Sequence, residues 1–214
     1  MPETSDARRR SQLWSAMLPH TTPKGWVAPQ GTPQRLIAET AAREAAPEML
    51  FDPVLVPEGV LSEELLKLLL DDAVTAEARS GNTDGHRVAM STDETLDRFR
   101  DFGVIDWCEK QSGIPMDAAL QLVFLYYEAG DTCPAHFDTH ENFQFNFLLC
   151  LGRTRVDGGK STATYFFDAD GGLWSRDLSF GEAVWFHARK TVHGRTPLAP
   201  GERVVLASLG MHAA

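Results

Sequence analysis

After Pro115 the chain is punctuated at short intervals by glycine or proline, and brief apolar runs stand between the breaks. The runs lie at residues 119–127, 143–151, 163–167, 173–178, 182–187 and 203–209. The breaks hold Gly130, Gly152, Gly158-Gly159, Gly171-Gly172, Gly181 and Pro200-Gly201. Runs this short, rich in β-branched and aromatic residues and bounded by turn formers, predict an antiparallel sandwich or barrel.

The half that precedes Pro115 reads differently. Val54-Leu55-Val56 predicts a short strand, and Ser62 offers an N-cap, with Glu63 and Glu64 in the first turn where the helix dipole favours anions. Leu65, Leu69 and Ala73, flanked by Leu66, Leu70 and Val74, recur at four-residue spacing and give one apolar stripe. A second helical region is predicted over residues 93–111, with Leu96, Phe99, Phe102 and Trp107 inward, closed by Gly113 and Pro115. Residues 80–82 and Asp84-Gly85 read as loop. The first fifty residues hold Pro2, Pro19, Pro23, Pro29, Pro33 and Pro47 and admit a helix only at residues 34–46. They predict a partly ordered or lid-like extension, with Trp14 and Trp26 docked on the rest. Residues 51–214 are then one domain of α+β type, mainly β, with N-terminal helices packed on a jelly-roll core. A chain of 214 residues buries about 70% of its surface on folding and needs no disulfides for that.

The formal charge of −10 disfavours a protein whose main task is to hold a phosphate backbone, so nucleic acid is not the expected partner. The charge is uneven: +1 over residues 1–51, −13 over 52–142 and +2 over 143–214. Cys108, Cys133 and Cys150 form no CxxC pair, which argues against a zinc ribbon or a disulfide framework. The longest apolar run, residues 122–127, is far short of the ~20 residues of a membrane helix. No apolar run follows Arg8-Arg9-Arg10 to make a signal peptide, so the expected location is cytoplasmic.

His136 and Asp138 follow a strand and a glycine-containing turn, and residues i and i+2 of an extended segment share a face. His193 lies 55 positions after Asp138, and Arg203 ten positions after His193, at the start of an apolar run. Two histidines and a carboxylate on one face of a metal form the open facial triad of non-haem Fe(II) oxygenases. An arginine on the strand beside the third ligand would supply a planar, bidentate partner for a carboxylate held next to the iron.

These residues resemble the Fe(II)/2-oxoglutarate-dependent dioxygenases, most closely the prolyl 4-hydroxylase type. The resemblance covers about residues 54–211. It rests on residues 56–64 as the opening strand and helix, on Tyr127-Glu-Ala-Gly130 followed by His136 and Asp138, and on Gly158-Gly159 with Thr162. It closes with Gly181-Glu-Ala-Val-Trp-Phe186, His193 and Gly201-Glu-Arg203. The resemblance implies a double-stranded β-helix holding Fe(II) through His136, Asp138 and His193, with Arg203 pairing the distal carboxylate of 2-oxoglutarate. Tyr127 and Asn146 are implied further contacts to that co-substrate. The implied chemistry uses O2, with ascorbate as an accessory reductant. It couples decarboxylation of 2-oxoglutarate to succinate and CO2 with hydroxylation of an unactivated C–H bond. The substrate is expected to be an amino acid, a peptidyl residue or a small biosynthetic intermediate.

Rivals stand beside each assignment. His140 shares the face of His136 and Asp138 if the strand stays extended, though a place beside the ligands or against substrate needs no such geometry. His187 competes with His193 but, at the end of its strand, suits the surface or a place beside the ligands better. Arg195 either faces the cavity or lies exposed. Tyr165, Trp174 and Trp185 divide between core and pocket, and His20, His86 and His212 are expected in solvent. The alternative from another class is a cupin-like metal-binding β-sandwich, a non-2-oxoglutarate enzyme or a small-molecule binding module. Such a protein has no need of an arginine ten residues past its last histidine.

Overall fold

A computed structural model describes residues 53–83, 85–117, 120–136, 138, 143–155, 163–167, 173–189 and 191–214. The N-terminal extension, His140, Gly158-Gly159 and Thr162 lie outside the described residues.

Three helices open the described chain after a short strand β1 (Val54–Leu55). Helix α1 (Glu63–Glu77) starts where the sequence predicts, with Ser62 Oγ accepting from the Leu65 amide at 3.1 Å. The second helical region is two helices, α2 (Asp93–Arg100) and α3 (Val104–Ser112). Gly103 separates them, at φ +71°, a left-handed conformation that costs glycine nothing and breaks the helical run. Between α1 and α2 lies a hairpin, β2 (Gly81–Asn82), where the sequence reading expects loop, and β3 (Arg87–Met90), which it leaves unassigned. Its strands are too short and too polar to show a period of two.

The remaining strands are β4 (Gln121–Tyr127), β5 (Cys133–His136), β6 (Phe145–Thr154), β7 (Thr164–Phe167), β8 (Leu173–Arg176), β9 (Ala183–Phe186), β10 (His193–Arg195) and β11 (Arg203–Met211). Six of these match the six apolar runs within a few residues. Strands β5 and β10 are additional; both are short and mixed in polarity. All pairings are antiparallel and form two sheets, ordered β1-β9-β6-β11-β4-β3-β2 and β5-β10-β7-β8.

The large sheet is covered on both faces, which is why its strands read as continuous apolar runs. On one face Phe124, Tyr126, Phe147, Leu149, Trp185, Ala207 and Leu209 pack under the helices against Leu65, Leu69 and Ala73. Tyr126 Oη donates to the Ala73 carbonyl at 2.6 Å, fixing α1 to β4. On the other face Tyr127, Leu148, Cys150, Val184, Phe186, Val204 and Leu206 meet Phe166 of the small sheet. Alternate residues of β4, β6 and β11 therefore serve two separate cores. The space between the two sheets holds the candidate site. No helix among the described residues is long and apolar enough to cross a membrane.

Candidate metal centre and anion pocket

Strands β5 and β10 are paired with His136 directly opposite His193, and their ring centroids stand 4.3 Å apart. Asp138 follows β5 and is tied by its amide to the Ala188 carbonyl at 3.0 Å. One ligand atom from each of His136, Asp138 and His193 lies within 4.8 Å of the others. The imidazoles are orientated from behind. His193 Nδ1 lies 2.9 Å from the Thr191 carbonyl, an acceptor, so Nδ1 carries the proton and Nε2 is left as a lone-pair donor. His136 Nδ1 is 3.8 Å from Cys133 Sγ, and its Nε2 faces Asp138 Oδ1 at 3.6 Å. Two imidazole nitrogens and one carboxylate, each braced by a neighbour, suit a divalent transition metal with an open face.

The charges of the metal-free cluster follow from burial and proximity. Burial pulls the His136 pKa down, but the Cys133 sulfur and the Asp138 carboxylate outweigh it and hold the value well above the usual one. Burial and the positive charge of His136 push His193 down to about 4. Burial raises Asp138, yet the His136 hydrogen bond and the charges of His193, His136 and Arg189 leave it below the ordinary carboxylate range. At neutral pH His136 is therefore the cationic imidazole of the set, while His193 is neutral and Asp138 ionised.

The three residues open into a cavity of about 230 Å³ also lined by Tyr127, Asn146, Arg195, Ser208 and His86. Asn146 Oδ1 accepts from Ser208 Oγ at 3.0 Å, so its amide orientation is set and Nδ2 is its remaining donor group. Arg195 is 2% exposed. Its Nη1 donates to Thr164 Oγ1 at 3.0 Å, and its Cζ lies 5.4 Å from the centre of the Tyr127 ring. Its Nε and Nη2 have no hydrogen-bond partner among the described residues. A desolvated guanidinium with one edge open is a site for an anion. Burial also drives the Tyr127 hydroxyl well above its ordinary pKa, so it stays a neutral phenol.

Arg203 does not share this cavity. It begins β11 on the same face as Val205, Ala207 and Leu209, the face under the helices, and its Nη2 is paired with Glu77 Oε2 of α1. Glu77 also binds Arg87 at 2.8 Å. The sequence assignment of Arg203 to a carboxylate beside the metal is therefore corrected: the arginine that reaches the cavity is Arg195. A signal for it was present, because Arg195 stands two residues after His193 on an extended strand and so shares its face.

Other rivals separate as follows. His187 is buried and packs edge-on to Phe145 at 4.8 Å, outside the cluster of ligand atoms. His212, expected in solvent, is half-buried and meets Arg189 Nη2 at 3.2 Å and the Phe143 ring at 5.7 Å. His86, also expected in solvent, lies in the cavity wall, stacked on Tyr127. Trp185 is core beneath the helices, and Trp174 packs on Phe166. Tyr165 backs β10, its hydroxyl donating to the Cys133 carbonyl at 3.3 Å. That contact fixes Gly194: a Cβ there would stand 2.3 Å from the Tyr165 hydroxyl and 2.6 Å from the Cys133 carbonyl oxygen.

No protein-family model and no curated protein sequence matches the chain. Solved structures do match. A prolyl-4-hydroxylase from Pseudomonas putida superposes with a TM-score of 0.60 at 16% identity, covering 83% of this chain and all of that one. A prolyl hydroxylase from Trichoplax adhaerens, in complex with a hypoxia inducible factor peptide fragment, gives 0.61 at 11% identity over 83% of this chain and 90% of that one. The alpha ketoglutarate dependent epimerase SnoN from nogalamycin biosynthesis gives 0.57 at 19% identity, covering 82% of each chain. The chain has the jelly-roll fold of the 2-oxoglutarate–Fe(II) oxygenases, in its prolyl 4-hydroxylase-like form.

Proposed function

We propose that the protein is an Fe(II)- and 2-oxoglutarate-dependent oxygenase that hydroxylates an unactivated C–H bond of an amino acid, a peptide or a small biosynthetic intermediate. The observation that carries this reading is one cavity holding His136, Asp138 and His193 at one end and the open edge of Arg195 beside them. The donor set fits Fe(II): His136 and His193 would hold it as neutral imidazoles and Asp138 as a carboxylate. Bound iron with O2 would supply oxidative decarboxylation of 2-oxoglutarate to succinate and CO2 and the oxidising power for the C–H bond.

The chain's own residues do the rest. Arg195 takes the distal carboxylate of 2-oxoglutarate through Nε and Nη2, while Thr164 holds Nη1 out of competition. Tyr127, kept neutral by burial, and Asn146 Nδ2 add donors along the same wall. Leu125, Leu148, Phe186 and Leu206 keep water from the rest of the cavity, which strengthens each of these polar contacts. His136 gives up its proton when the metal enters.

Arg195 supports this reading over the cupin-like alternative, which has no use for a buried guanidinium beside its metal. The fold supports an oxidative outcome without fixing which one, since an epimerase shares it with the hydroxylases. The test is anaerobic addition of 2-oxoglutarate to the Fe(II)-loaded protein, followed by O2. A metal-to-ligand charge-transfer band, then succinate, is expected. Absence of both, with succinate and 2-oxoglutarate bound equally in calorimetry, favours the alternative.

A further inference from the structure

We infer that His86 is a positioning residue for the anion-binding end of the cavity: its ring stacks on Tyr127 and, through Tyr127, holds the Arg195 guanidinium in place. The consequence for 2-oxoglutarate rests on the function proposed above; the brace itself does not. The hairpin that carries His86 is at the far edge of the large sheet, away from the metal strands in sequence and in sheet order. The antiparallel register pairs Arg87 with Tyr126, so the next step outward puts His86 opposite Tyr127. Parity then sorts the two pairs. Arg87 and Tyr126 meet on the helix face, with Arg87 Cζ 5.6 Å from the Tyr126 ring, whereas His86 and Tyr127 meet on the cavity face.

The turn is held so that His86 stays there. The Thr83 amide and hydroxyl both donate to the His86 carbonyl at 2.8 Å, and the Thr132 amide donates to the Gly85 carbonyl at 2.9 Å. Gly85 sits at φ +113°, and a Cβ on it would stand 2.5 Å from the Thr132 carbonyl oxygen. Only glycine lets the turn approach so closely. Arg87 is meanwhile pinned by Glu77 and Glu128, both at 2.8 Å. The outcome is a ring pair with centroids 4.6 Å apart and planes 20° from parallel, and Arg195 against the same phenol. An offset aromatic stack and a cation over a ring each favour one orientation of the phenol. Without His86 the Tyr127 ring loses a wall and Arg195 loses a fixed platform.

Two variants separate a brace from general stability: His86→Ala removes the ring, and His86→Phe keeps a ring without the imidazole nitrogens. The first measurement needs neither metal nor co-substrate. Phenylglyoxal modification of Arg195, followed by peptide mass mapping on the metal-free protein, is expected to be several-fold faster in His86→Ala and unchanged in His86→Phe. The second is calorimetric binding of 2-oxoglutarate to the Mn(II)-loaded protein, where His86→Ala weakens binding roughly two- to tenfold, the worth of one aromatic pair, and His86→Phe restores it. Equal modification of Arg195 in wild type and His86→Ala overturns the inference, as does a His86→Phe protein that behaves like His86→Ala. If wild type fails to bind 2-oxoglutarate while the labelling pattern holds, the brace stands and the proposed function falls.

Discussion

Replacing Arg195 by methionine removes the guanidinium while keeping most of the side chain's length, so it isolates what the charge does. Nη1 is engaged by Thr164, and Nε with Nη2 forms an edge whose geometry suits a carboxylate in two parallel bonds. A hydrogen bond to a charged group contributes about 1.5–3 kcal/mol. Two of them, less the cost of desolvating the incoming carboxylate, leave about 3 kcal/mol, on the order of 100-fold in Kd. R195M is therefore expected to weaken 2-oxoglutarate that much, and R195K to fall between, since an ammonium keeps the charge without the fork. R203M is expected to stay within about twofold of wild type, because its partner is Glu77 on the helix face. Calorimetric titration of 2-oxoglutarate into Mn(II)-loaded protein measures all three.

The same variant makes an opposite prediction for the metal-free protein. Burial lowers the pKa of Arg195, and the neighbouring charge of Arg153 is repelled by it, so the buried guanidinium is an unfavourable charge for the fold. R195M is expected to melt no lower than wild type in chelator. If R203M loses the co-substrate and R195M retains it, or if R195M melts several degrees lower with its affinity intact, the placement of the anion site at Arg195 is wrong.

Two further outcomes follow from the geometry. Since only His136 is cationic at pH 7, with His193 near 4 and Asp138 ionised, metal binding is expected to release close to one proton. Affinity then rises about tenfold per pH unit up to the His136 pKa of the metal-free protein; titrations in buffers of different ionisation enthalpy count the proton, and a release near zero contradicts the charge assignment. Gly194→Ala, which adds a methyl against the Tyr165 hydroxyl and the Cys133 carbonyl, is expected to cost about 1–3 kcal/mol of stability. It should also weaken both metal and co-substrate binding, because Gly194 separates His193 from Arg195; chemical denaturation and calorimetry on the same samples check both halves.

The parts of this protein that were legible in its sequence are those where one local rule suffices. Ser62 caps α1, apolar runs broken by glycine become strands, and the close pair His136 and Asp138 does come together with His193. Arg203 was misplaced because its face depends on strand parity. The run from Arg203 through Leu209 is apolar on both sides, and a strand covered on both faces has no polar alternation to tell which side is which. Helix α1 then decides the matter by presenting Glu77 to the guanidinium. His86 left no trace in the sequence. Its role comes from the turn before a four-residue strand, β3, that pairs with β4 across a long gap in sequence, and neither propensity nor periodicity has enough residues to act on.

If the site binds a dicarboxylate as proposed, strand geometry also predicts the length it prefers. His193 and Arg195 are neighbours on one face of β10, so their Cα atoms are separated by two strand rises, roughly 6–7 Å. Continuous pairing with β7, which places Thr164 beside Arg195, keeps that spacing stiff, while β5 places His136 beside His193 and shifts register before Arg195. A 2-oxo acid whose keto-acid end sits at the metal must reach a guanidinium that a shift of the strand cannot bring nearer. Among oxaloacetate, 2-oxoglutarate and 2-oxoadipate, binding to the Mn(II)-loaded protein is expected to peak at the five-carbon acid. The four-carbon acid loses one arm of the Arg195 fork, roughly tenfold, and the six-carbon acid must fold within a cavity of about 230 Å³. In R195M that discrimination should collapse, because the carboxylate no longer has a fixed point to reach. A preference that persists unchanged in R195M would place the ruler elsewhere on the wall, with Asn146 and Ser208 as the next residues to test.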